Sequence, residues 1–116
     1  MKFTVAAAAL FLASSQLALA DGEAFLGTWT SDWRNQIDTK LVVHSVENGT
    51  ADVTYSWGAT QYNEAGSSRH GARVRGNKLS WSGGGTSFQF TERDGRLYAI
   101  RKAGGNIDRG TFRKVN

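Results

Sequence analysis

From Phe25 onward, apolar and polar residues alternate with a period of two, and the runs of alternation are separated by glycine-rich pairs. The clearest run is ADVTYSW, in which Ala51, Val53, Tyr55 and Trp57 share one face while Asp52, Thr54 and Ser56 take the other. Leu79 and Trp81 alternate with Lys78 and Ser80, and Phe88 and Phe90 with Ser87, Gln89 and Thr91. These are half-buried antiparallel strands. No apolar set recurs at three- and four-residue spacing after residue 25, so helices are not expected there.

The pattern predicts strands at 25–33, 40–47, 50–57, 68–75, 78–82, 86–92, 96–102 and 107–115. Between them stand Asn48-Gly49, Gly76-Asn77, Gly83-Gly84-Gly85, Asp94-Gly95 and Gly104-Gly105, which supply the positive φ angles of tight hairpins. Short connections make consecutive strands neighbours, so an all-β, eight-stranded, antiparallel up-and-down meander closing into a small barrel is expected. A barrel of this size is filled by side chains or holds one small ligand. One connection is longer: residues 58–68 carry Tyr62, Asn63 and Glu64, and long loops in compact domains are often functional.

Ahead of this pattern, residues 1–20 carry a cation at Lys2, an apolar stretch from Phe3 to Leu12, and Ala18-Leu19-Ala20 before Asp21. This reads as a cleavable secretory signal peptide, too short and alanine-rich for a membrane span. A secreted or periplasmic protein is expected, with residues 21–116 as a single barrel domain. The chain has no cysteine, so neither disulfides nor a lipid anchor on cysteine enter the picture.

The formal charge of the whole chain is +4, and Lys2 would leave with the signal. The excess is mild and no basic run is present, which argues against nucleic acid and against a membrane-surface helix after signal cleavage. Arg69, Arg73 and Arg75 fall on one face of a strand, with His70, Ala72 and Val74 on the other. They form either a solvated stripe or, at a barrel mouth, a set of cations for an anionic head group.

Gly27-Thr28-Trp29 on the first strand of an eight-strand meander resembles the calycin barrels, the lipocalin and avidin-like group. Gly110 to Val115, GTFRKV, looks like the final strand of the avidin-type members. The chain also resembles small secreted bacterial domains of unassigned function that open with Leu-Gly-x-Trp and carry a segment like Tyr55-Ser56-Trp57-Gly58. The resemblance implies that Trp29 packs at the closed end of the barrel under a basic side chain of the last strand, for which Arg109 and Arg113 are the candidates. The chain lacks the lipocalin cysteines and the later tryptophans of the biotin binders, so biotin binding is not carried over.

His44 and His70 show no metal-ligand spacing, no serine sits in a nucleophile elbow, and the glycines at 83–85 precede no phosphate-loop lysine. No cofactor or metal is expected. Trp33 ends the first strand among polar residues, at a rim position where an aromatic commonly faces a ligand. The leading expectation is a small apolar or amphipathic ligand bound at the open end by Trp33, Tyr55, Trp57 and Tyr62, with Arg69 or Arg73 offering charge. A protein-interaction or inhibitor module presenting the 58–68 loop is the alternative, and a hydrolase using Asp32, Asp38, Asp52 or Glu64 the least favoured reading.

Overall fold

The computed structural model describes residues 22–35 and 38–116. The signal peptide expected over residues 1–20 lies outside the described residues. Eight antiparallel strands run in chain order around a closed barrel: β1 Gly27–Ser31, β2 Thr39–Glu47, β3 Thr50–Trp57, β4 Gly66–Arg75, β5 Lys78–Gly83, β6 Thr86–Arg93, β7 Arg96–Ala103 and β8 Asn106–Lys114. The meander closes where β1 pairs with β8, Trp29 opposite Lys114 and Thr30 opposite Arg113.

Five connections are two-residue turns, because the strands they join pair up to their last residues, as Glu47 does with Thr50 and Arg93 with Arg96. Asn48-Gly49 (φ 53° and 77°) and Asp94-Gly95 (φ 54° and 80°) take positive φ at both positions, the geometry whose twist matches the flanking strands. Only 32–38 and 58–65 are longer, and both lie at the same end of the barrel. That end is the open one.

The expected strand bounds hold within two residues throughout, and β1 is the strand that is shorter by two at both ends. Phe25 belongs to a turn closed by its N–H to the Gly22 carbonyl at 3.2 Å, and Trp33 to a 3-10 turn, Trp33–Asn35. A bulge at His44 shifts the β2–β3 register between Val43 and Ser45. Val46 therefore packs against the core with Val43, while His44 is exposed and bonds the Thr54 hydroxyl at 2.8 Å.

Inside, Leu41, Val43, Val53, Leu79, Leu97, Phe90 and Phe112 form the buried core. The far end is closed by Phe25 and Trp29, whose indole N–H donates to the Phe25 carbonyl at 2.9 Å. The cation over Trp29 is Lys114, its Nζ 5.5 Å from the ring centre, and neither Arg109 nor Arg113 holds that place. Strand parity decides this: Lys114 is in phase with inward Phe112, whereas residues 109 and 113 are exposed on the outer face.

Candidate functional site

At the open end, the irregular segment after β1 folds inward over the barrel. The Ser31 hydroxyl accepts the Trp33 N–H at 3.1 Å, a local side-chain bond that competes with strand continuation. Trp33 then drops into the barrel, edge-on to Phe112 with ring centres 5.4 Å apart. Gly110 makes the room, since a Cβ there would lie 2.7 Å from the Cβ of Trp33. Trp33 is 6% exposed and donates its indole N–H to the Tyr55 hydroxyl at 3.0 Å. It is a plug beneath the mouth, and it does not line the cleft above.

The next residue, Arg34, sits at φ 58° and ψ 24°, a left-handed conformation that a side chain of its type seldom takes. Its Nε lies 3.1 Å from Oδ2 of Asp108, the same oxygen that Nη1 of Arg101 reaches at 3.2 Å. Two guanidiniums thus share one carboxylate. All three side chains are half-buried, between 21% and 35% exposed, so solvent screens them less than it would a surface pair.

Beside this cluster is a cleft of about 530 Å³, lined among others by Tyr55, Trp57, Trp81, Phe88, Arg34 and Arg101. Its floor is aromatic. Phe88 lies 4.9 Å from both Tyr55 and Trp81, and Arg101 stands 6.0 Å from the Phe88 ring. Trp57 is held by its indole N–H, which donates to the Glu64 carbonyl at 3.1 Å, and Gly66 leaves it room. Ser68 and His70 add a hydrogen-bonded pair at 2.7 Å on the β4 side. Burial pushes the Tyr55 phenol above the ordinary tyrosine range, against the opposing pull of the Trp33 N–H and of Arg34 and Arg101.

Of the residues expected to meet a ligand, Tyr55 and Trp57 are brought together in the cleft. Tyr62 is not among its walls and stands 84% exposed on the long loop. Arg69 points outward from the wall, its Nε 2.9 Å from Asp52 Oδ1, and this hydrogen bond pulls the Asp52 carboxyl below the usual carboxylate range. Arg73 is also external and borders a separate groove on the barrel wall. The cations at the mouth are instead Arg34 and Arg101. Arg101 carried a legible signal, since it is in phase with inward Leu97 and Ala99, and Asp108 likewise with Phe112. Arg34 carried none, because an irregular segment has no period.

Among the described residues no three His, Cys, Asp or Glu side chains gather as a metal site would require. Comparison with protein-family models, with curated proteins and with solved structures finds no match to the chain.

Proposed function

We propose that this protein is an exported, calycin-like barrel that works in the secreted or periplasmic compartment and binds a small amphipathic anion at its open end. The observation that carries this reading is the joint presence, in one cleft, of an aromatic floor and the guanidiniums of Arg34 and Arg101. The aromatic floor suits an apolar body, and the two guanidiniums suit a carboxylate or sulfonate head. Glu64 also borders the cleft, but it is exposed, and water screens it more than it does Arg101.

The first test is native mass spectrometry of the protein purified from its own exported fraction. A released small molecule identifies the occupant. In parallel, titration with anilinonaphthalene sulfonate is expected to give saturable binding that Arg101→Ala weakens by about tenfold or more, the worth of one charge-assisted hydrogen bond. Arg69→Ala, on the outer wall, leaves it unchanged. A mature protein that carries nothing and binds no such probe would overturn the reading.

The second reading is a protein partner for the 58–68 loop, favoured by the exposure of Tyr62. Trp57→Ala separates the two, because in the ligand reading it weakens probe binding more than shortening residues 60–66 does. Equal loss from the loop deletion favours the partner.

A further inference from the structure

The barrel wall is incomplete between β4 and β5. Their ladder contains only Arg75 with Lys78, Val74 with Leu79 and Arg73 with Ser80, whereas β4 continues to Gly66 and stays paired with β3 from Arg73 to Gly66. Backbone groups along a strand point alternately to its two neighbours. The Val74 N–H bonds the Gly49 carbonyl on the β3 side, so the N–H and C=O of Ser67, Arg69 and Gly71 face the gap. On the opposite bank, Ser82 follows Ser80 in the same phase and faces it too.

Outside this gap runs a groove of about 760 Å³. Arg73 and Lys102 border it, and no carboxylate is among its lining residues. Its inner side is formed by the ring of His70 stacked on Trp81, 4.9 Å between centres and 16° between planes. Serine hydroxyls at 80, 82 and 87 complete a lining more polar than an alkyl chain would favour.

We propose that this groove, which shares the His70–Trp81 stack with the mouth cleft and opens on its outer side, is a second binding site where an extended acidic peptide segment of a partner protein adds as a strand to the free edge of β4. Three donors and three acceptors at two-residue spacing match the backbone of an extended chain. An apolar side chain on the inner face of that chain meets the His70–Trp81 stack, and acidic side chains on its outer face meet Arg73 and Lys102. Gly71 leaves the approach clear, since even a Cβ there would meet no atom within 4 Å.

The test is amide hydrogen exchange followed by NMR, with a capped six-residue peptide alternating glutamate and valine as the probe. In the free protein, Ser67, Arg69 and Gly71 are expected to exchange at least about tenfold faster than His70 and Ala72, whose amides face β3. Millimolar peptide is expected to slow those three amides about tenfold or more. The same peptide N-methylated at alternate amides, and its lysine counterpart, are expected to have no effect. Slow exchange at the three positions in the free protein would overturn the proposal, as would failure of the acidic peptide to protect them. Anilinonaphthalene sulfonate binding at the mouth is measured in the same samples, so failure of one site is distinguishable from failure of the other.

Discussion

The indole N–H of Trp33 donates to the phenol oxygen of Tyr55 across 3.0 Å, with both side chains buried. This bond fastens the segment that folds over the mouth to β3, and Tyr55→Phe tests it twice. At neutral pH the substitution leaves a buried N–H without its acceptor and is expected to cost about 1–3 kcal/mol. In alkali the difference narrows. The unfolded chain releases the phenol proton near pH ~10 while the folded chain keeps it to a higher pH, so wild-type stability falls as pH climbs through that window. Thermal melts against pH are expected to show a variant that is less stable than wild type at pH ~7 and loses less above pH ~10. Equal stability at neutral pH would show that the bond contributes nothing.

Trp29 is 1% exposed and sealed between the Phe25 carbonyl and the Lys114 ammonium. Trp29→Ala is expected to lower stability by about 3–5 kcal/mol, the cost of truncating a large buried aromatic. Lys114→Met keeps most of the apolar stem and removes the charge, for an expected loss of about 0.5–1 kcal/mol. Arg113→Met, on the outer face, is expected to have no comparable effect. Chemical denaturation of the three variants ranks them, and a larger loss at Arg113 than at Lys114 would return the covering role to the arginine.

Gly110 and Trp33 form a knob and its hole. Gly110→Ala would place a methyl 2.7 Å from the Cβ of Trp33 and 2.8 Å from its ring, and the overpacking is expected to cost about 1–3 kcal/mol. In a Trp33→Leu background the same change is expected to cost less, because the ring it strikes is gone. Urea unfolding of the four proteins of that cycle gives the coupling directly. Additivity within about 0.5 kcal/mol would mean that Gly110 serves something other than Trp33.

Eight strands and five tight turns are legible in the sequence because both are local signals: a two-residue period, and residue pairs that tolerate positive φ. Trp33 is not legible for the opposite reason. It lies in phase with Trp29 and Ser31 and reads as strand, yet the Ser31 hydroxyl starts a turn, and the space it fills is left by a glycine on the last strand. Arg101 and Asp108 sit in inward phase, but charged residues are placed inside only where a partner is known, and Arg34 comes from a segment without pattern. The same holds for His44, whose bulge moves Val46 to the core without any sequence mark. The gap between β4 and β5 has no local signal either, since both strands alternate correctly on each side of it.

Asp108 places a single oxygen within reach of two guanidiniums, so any anion entering the cleft competes with a resident carboxylate for Arg34 and Arg101. Asp108→Asn keeps the shape of the side chain and removes its charge. The expected result is tighter binding of anilinonaphthalene sulfonate, with a steeper fall in affinity as salt rises, because more of the attraction is then unbalanced charge. Arg101→Gln is expected to do the reverse on both counts. If Asp108→Asn instead weakens the probe, the carboxylate acts chiefly by holding the two arginines toward the cleft, and their orientation outweighs the charge it cancels. The salt dependence decides between these even when the affinities lie close, since lost orientation leaves the net charge raised while lost competition lets the probe use it.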